Sequence, residues 1–271
     1  MILTGLFAGL VLASCKQPKP PEPPNVIKAL DFEDGDLSGW SRMKLVGEHS
    51  AKVVESPIRG GDYAVRFMLR KDDKIVSKSK RAELELKHHA DIGGEYWYGF
   101  SIYIPADWQY DTINEVVTQW NATRDKEIKE NAKRSPPLAL RIKKDHWYIT
   151  MRWDKRRLTP PGNKAPKLRL WKGPYKKGAW TDWVVHAKWS FEKDGLVRVW
   201  QNGKLIIEHA GPNCYNDKRG LRFKIGLYKP KWQGDKYTSL IKERIIYHDE
   251  IRVGNKDAKY ADVAPRTLQE R

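Results

Sequence analysis

Three short runs carry side chains able to take a proton from a carbon beside a carboxylate: Arg81-Ala-Glu83-Leu-Glu85-Leu86, Gln119-Trp120-Asn121 and Phe223-Lys224-Ile-Gly-Leu-Tyr228. Such a hydrogen is a very weak acid while the carboxylate keeps its charge. Donors or a cation must neutralise that charge, and stabilisation of this kind is often the largest contribution to a rate. Arg81, Gln119 and Asn121 have the right groups. A tyrosine near cations ionises more easily than a free phenol at ~10, so Tyr228 suits the base and could return the proton to a leaving oxygen. A uronic acid linked through O4 meets these requirements: H5 is removed, an enolate forms at C5 and C6, and O4 is protonated. One group does both jobs only where H5 and O4 share a side of the ring. That holds for glucuronate and mannuronate, not for iduronate or guluronate.

The three runs must be strands for this to work. Side chains two apart share a face of a strand, so Phe223, Ile225 and Leu227 point one way and Lys224, Gly226 and Tyr228 the other. The other two runs divide likewise into an apolar and a polar face. Four residues of strand cover ~13 Å, which sets Lys224 in a neighbouring subsite, holding a carboxylate or sulfate. Plainer roles compete: Arg81 and Glu83 could simply pair, Lys224 could be a solvated charge, and Tyr228 a surface aromatic.

Many short alternating segments separated by turns predict an all-β fold, a β-sandwich or jelly roll. Asp34-Gly35, Gly60-Gly61, Gly93-Gly94 and Asn202-Gly203 mark turns, the last between 197–200 and 205–207 as a hairpin. Helix signals are sparse: a short polar helix over 126–133, stopped by Ser135-Pro-Pro137. Residues 155–177 read as a long loop that walls a groove. The tail after Gly254 is polar and loosely ordered on this reading.

Lys plus Arg number 51 against 34 Asp plus Glu, a formal charge of +17 over 271 residues. The excess implies an anionic partner, whether nucleic acid, anionic lipid or acidic polysaccharide. It is spread along the whole chain, so a solvated, solubilising surface is the plainer alternative. Two cysteines exclude a disulfide framework. Cys15 closes the apolar stretch from Ile2 to Ala13, which is short of the ~20 residues that span a bilayer. Its ending, Leu12-Ala-Ser-Cys15, resembles a bacterial lipoprotein signal, implying lipidation of Cys15, although no basic residue precedes the run. The expected division is a signal over 1–15, a proline-rich linker over 16–25, one domain over 26–255 and a tail over 256–271. The expected location is the cell envelope, lipid-anchored at the outer membrane, facing the periplasm or the cell surface. That placement excludes nucleic acid as the partner and limits membrane contact to the anchor.

These segments resemble the jelly-roll polysaccharide lyases that include glucuronan lyase and heparin lyase I. Arg81-Ala-Glu83-Leu is similar to their Arg-x-Glu-Leu strand, and Gln119-Trp120-Asn121 stands where they carry Gln-x-His. Phe223-Lys-Ile-Gly-Leu-Tyr228 is similar to Phe-Lys-x-Gly-x-Tyr, whose last tyrosine is catalytic. The likeness runs from about Val26 to Gly254. It implies a concanavalin-like sandwich of two antiparallel sheets and lyase chemistry on an acidic polysaccharide. Asn121 departs from the family histidine and cannot act as a base, which favours the single-tyrosine route; His88 and His89 could restore one by folding over the groove. The resemblance also implies a structural calcium, with Glu33 and Asp249 as ligands, and no cofactor for the chemistry.

The resulting expectation is a monomeric lyase acting on a uronate polysaccharide. Tyr228, Arg81, Gln119 and Asn121 would do the chemistry, and Lys224, Glu83, Trp120, His88 and His89 would hold substrate, flanked by Trp147 and Trp153. Two alternatives stay open. A lectin-like module would bind the glycan without cutting it. A glycoside hydrolase would need two carboxylates ~5–10 Å apart, for which Glu83 and Glu85 are the obvious acids.

Overall fold

The computed structural model describes residues 21–128, 134–160, 165–234 and 236–266, without the side chains of residues 87–89 and 126. The strands are β1 (Val26–Leu30), β2 (Trp40–Lys44), β3 (Ala51–Val54), β4 (Ala64–Arg70), β5 (Arg81–Ala90), β6 (Glu95–Ile104), β7 (Glu115–Asn121) and β8 (Leu138–Lys143). They continue as β9 (His146–Arg152), β10 (Lys167–Pro174), β11 (Ala179–Lys188), β12 (Leu196–Gln201), β13 (Lys204–Ala210), β14 (Leu221–Tyr228) and β15 (Glu243–Gly254). Two antiparallel sheets result. One runs β13-β12-β11-β6-β15-β4-β3, with β1 paired to the end of β15; the other runs β10-β9-β8-β7-β14-β5-β2. Strands close in sequence cross repeatedly between the sheets, which is the jelly-roll arrangement expected.

The core lies between the sheets. Phe67, Tyr98, Phe100 and Ile102 from the first meet Leu84, Trp120, Phe223 and Ile225 from the second, all buried. The Trp120 ring stands edge-on to Tyr98 at 5.1 Å and lies 5.2 Å from Phe223. The alternation read from sequence is therefore the real division of each strand, with Ala82, Leu84, Leu86, Ile225 and Leu227 turned inward. Gly226 breaks the rhythm. Its φ is +114°, a Cβ there would collide with the Ala82 carbonyl oxygen, and the pairing of β14 with β7 shifts register between Ile225 and Tyr228. Only glycine fits, and the irregularity re-aims Tyr228, as bulges commonly do.

Local expectations fare unevenly. The Asn202-Gly203 hairpin forms, both residues at positive φ. The span 155–177 is not all loop, because 167–174 is β10, an edge strand with both faces largely wet that reads as polar. The short helix is a single 3-10 turn, Lys126–Ile128; residues 129–133 lie outside the described residues. The tail is not loose as far as residue 266: a short helix, α1 (Tyr260–Val263), packs its fully buried Val263 against Gly99, where a Cβ would strike the Val263 carbonyl. The linker is also pinned. Arg252 and Arg266 each hold the Glu22 carboxylate at 3.0 Å. Among the described residues no helix is long and apolar enough to cross a membrane.

Candidate active site

The three runs are adjacent strands, with β14 between β5 and β7. Strand register places the side chains in rows across the outer face of this sheet. Arg81 on β5 pairs with Tyr228, Tyr228 with Val116 on β7, Val116 with Arg141 on β8, and Arg141 with Tyr148 on β9. A second row sets Lys224 opposite Gln119, which pairs with Ala139. A third sets Arg222 opposite Asn121. Over these rows lies a groove of about 680 Å³ lined by Arg81, Gln119, Asn121, Arg141, Lys224 and Tyr228, with Lys231, Lys236 and Tyr237 on one wall. Among the described residues no carboxylate lines it.

Glu83 organises the floor. One carboxylate oxygen accepts from Arg81 Nη1 at 2.9 Å and the other from Gln119 Nε2. At 2% exposure it is a positioning group beneath the floor and not a contact for substrate, which corrects its expected role. The Arg81 guanidinium lies 4.5 Å from the Tyr228 ring centroid, a cation on the aromatic face. Asn121 Oδ1 accepts from Arg222 Nη2 at 3.0 Å, so its amide Nδ2 remains to donate.

Glu85 is the second buried acid, reached by Lys44 at 3.0 Å, Arg222 at 3.0 Å and Lys224 at 3.4 Å. Burial alone would raise its pKa, but Lys224, Arg222 and Lys44 outweigh it and bring it down to about 2. Lys224 is 3% exposed, and burial pulls its pKa down to about 8, with Glu83 and Glu85 opposing and Lys44 and Arg222 adding to the fall. It is thus a cation set into the floor and not a solvated surface charge. Both acids are enclosed among cations, which leaves neither available as the exposed pair a hydrolase requires.

Arg141 escaped the sequence reading. It lies in the same row as Tyr228, donates from Nε to Thr150 Oγ1 at 2.9 Å, and is brought down to about 10 by burial and by Arg152, while Tyr228 acts in the opposite direction. The alternation of Leu138-Ala-Leu-Arg141, which sets Arg141 on the polar face of a strand, was the local signal. Arg222 was missed too, although it sits two residues before Lys224 and so on the same face.

Other expected site residues go elsewhere. Trp120 and Trp147 are core residues, 1% and 0% exposed, because they occupy the inward positions of their strands. Trp153 packs partly buried against the core. His88 and His89 lie on β5, with His89 opposite Arg222 in register, but their side chains are outside the described residues. The two acids expected to hold calcium meet backbone donors of one loop: Asp249 accepts from the N–H groups of Arg59, Gly60 and its own neighbour Glu250, and Glu33 from those of Asp62 and Tyr63. No group of three or more His, Cys, Asp or Glu side chains placed to hold a metal occurs among the described residues.

The family model described as polysaccharide lyase matches residues 32–252. No curated protein matches the chain. Among solved structures, an endo-β-1,4-glucuronan lyase from the fungus Trichoderma reesei is similar with a TM-score of 0.77 at 21% identity, covering 90% of this chain and 100% of that one. An alginate lyase from Pseudomonas aeruginosa gives 0.51 at 19%, covering 81% and 99%. The catalytic domain of a glycoside hydrolase family 131 protein from Coprinopsis cinerea gives 0.56 at 12%, covering 91% and 99%. Identities this low establish the shared fold, and a fold that also carries a hydrolase does not by itself select the chemistry.

Proposed function

The chain belongs to the polysaccharide lyase family, and on that premise we propose that it cuts a uronate polysaccharide by β-elimination with Tyr228 as both base and acid. The observation that carries the reading is the row Arg81–Tyr228–Val116–Arg141, which sets a phenol between two guanidinium groups in a groove with no acid among its described lining residues. The substrate carboxylate would be neutralised by Arg81 and Gln119, both held in place by Glu83. Asn121, oriented by Arg222 and in its row, would meet the chain toward the neighbouring sugars.

The Tyr228 phenolate takes H5, and the electron pair of that bond forms C4=C5 as the C4–O4 bond breaks. The phenol then gives its proton to the departing O4. The products are an unsaturated uronate at one new end and a free hydroxyl at the other. Among the described groove side chains no second base stands ready, and Asn121 stands where the resembling lyases carry a histidine; the side chains of His88 and His89 lie outside those described. This supports substrates with H5 and O4 on one side of the ring, glucuronate or mannuronate. The same proposal places the enzyme on the cell envelope through lipidated Cys15, which would make the polymer an extracellular one; Cys15 and the rest of 1–20 lie outside the described residues.

The test is a panel of glucuronan, mannuronate-rich and guluronate-rich alginates and iduronate-containing polymers, followed by ultraviolet absorbance of the unsaturated product. Glucuronan or mannuronan should react, and Tyr228→Phe should lose on the order of 10³-fold in kcat while still binding polymer. Binding without product on every polymer would convert the reading to a lectin-like module.

A further inference from the structure

We infer that the arginine pocket at the Asn121 end of the groove is a subsite for a second anionic substituent of the same polymer, several sugars away from the bond that is cut. The inference rests on the lyase reading and narrows its substrate class to a chain charged at successive residues. A neutral backbone with an occasional uronate would leave the pocket unused.

The pocket, about 400 Å³, is lined by Arg42, Arg124, Arg134, Arg219 and Arg222 beside Asn121, and by no carboxylate among the described residues. It shares Asn121, Arg134, Ser135 and Arg222 with the larger groove, so the two are one continuous trough. Arg222 lies six residues from Tyr228 on β14, ~20 Å along a strand, a distance of several sugar rings. Lys224 stands between them, so cations recur along the whole path a polymer would follow.

The arginines are not equivalent. Two are set from behind: Arg134 makes a two-pronged pair with Asp217 at 2.8 and 3.1 Å, and Arg222 donates to Glu85 and to Asn121, each at 3.0 Å. The others stand at the rim. Arg42 is 64% exposed and approaches Glu85 only to 3.8 Å, Arg219 holds Glu127 on the surface at 3.0 Å, and Arg124 makes no ion pair among the described residues. Like charges around one cavity repel each other, and an incoming oxyanion relieves that repulsion. The planar guanidinium fork suits carboxylate or sulfate oxygens two at a time, which a set of lysines would not. Fixed arginines inside and reaching arginines at the rim form a site ready for an anion before it arrives.

The experiment compares wild type with the Arg124→Gln, Arg219→Gln double variant on uronate oligosaccharides of graded length, sulfated and unsulfated ladders side by side. The variant should lose about tenfold in kcat/KM, one charge-assisted contact's worth, on oligomers long enough to reach the pocket. The shortest cleaved oligomers should be unaffected, and the salt dependence on long ones should flatten. Loss on both ladders assigns the subsite to carboxylate; loss on the sulfated ladder alone assigns it to sulfate. Equal loss at all lengths, or none at any, overturns the inference. Calorimetric binding of the same ladders to the Tyr228→Phe protein, with and without the two arginine changes, reads the pocket without turnover. A failed lyase reading and a failed subsite are therefore told apart.

Discussion

Tyr228 and Lys229 are neighbours in the chain, yet the charges around them follow different rules. Lys229 is fully buried and pairs with Asp111 at 2.8 Å and Glu115 at 3.0 Å, while Arg244 pairs with Glu115 at 3.0 Å. Its ammonium also donates to the Ile113 carbonyl at 3.4 Å, and Arg244 donates to the Gln109 carbonyl at 2.7 Å. Two cations meet two carboxylates, and the surrounding packing closes over them. Around Tyr228 the balance fails: Glu83 and Glu85 face Arg81, Lys224, Arg222, Lys44 and Arg141, and the surplus points into a groove. A closed, neutral network fixes the chain, whereas an open one short of negative charge is fitted for an anionic ligand.

The largest expected effect probes the closed side. Lys229→Met leaves Asp111 and Glu115 buried with one cation fewer, and breaking a buried pair typically costs about 3–5 kcal/mol. A thermal melt should show a large fall in Tm, while wild type and Lys224→Met, whose partner Glu85 keeps Lys44 and Arg222, should melt close together. A similar Tm loss for both variants would erase the distinction between the two networks.

Much of the open side was legible in the chain because strand alternation exposes it. Phe223 to Tyr228 could be divided into core and groove faces without coordinates, and Arg81, Gln119, Lys224 and Tyr228 all line the groove. Two things were not legible. Adjacency in a sheet is long-range, so nothing near Arg141 announced that β7 would set it in line with Tyr228. Direction was lost wherever local pattern was ambiguous: Trp120 lies between two polar residues, and being aromatic suggested sugar stacking, whereas the alternation that turned Gln119 and Asn121 outward had to turn Trp120 inward. The polar tail misled for a related reason. A single buried side chain, Val263, with a glycine to receive it, is enough to dock a segment whose composition reads as solvated.

A middle-sized effect tests whether Arg141 belongs to the working side. Its guanidinium lies in the Tyr228 row of a groove suited to an anion, so Arg141→Gln should lower kcat/KM by about tenfold with the thermal melt little changed. Arg141→Lys, which keeps the charge, should restore part of the loss. A fall in Tm with kcat/KM unchanged would reduce Arg141 to a packing role beside Thr150.

The smallest effect follows from Lys224. With its pKa brought down to about 8, this floor lysine is cationic at pH 7 and increasingly neutral by pH 9. The sign for binding is direct: an anionic chain meets one positive charge fewer as pH rises through 8, so KM should climb on the alkaline side while kcat, set at Tyr228, follows its own profile. The expected rise is modest, about threefold, in line with the usual strength of a partly solvent-screened ion pair. Lys224→Arg, which keeps its charge over that range, should remove the rise, and Lys224→Met should show a raised KM that is flat with pH. A wild-type KM that stays level from pH 7 to 9 would mean that substrate never senses this cation. The lysine would then serve Glu85 alone, and the open network would begin at Arg222.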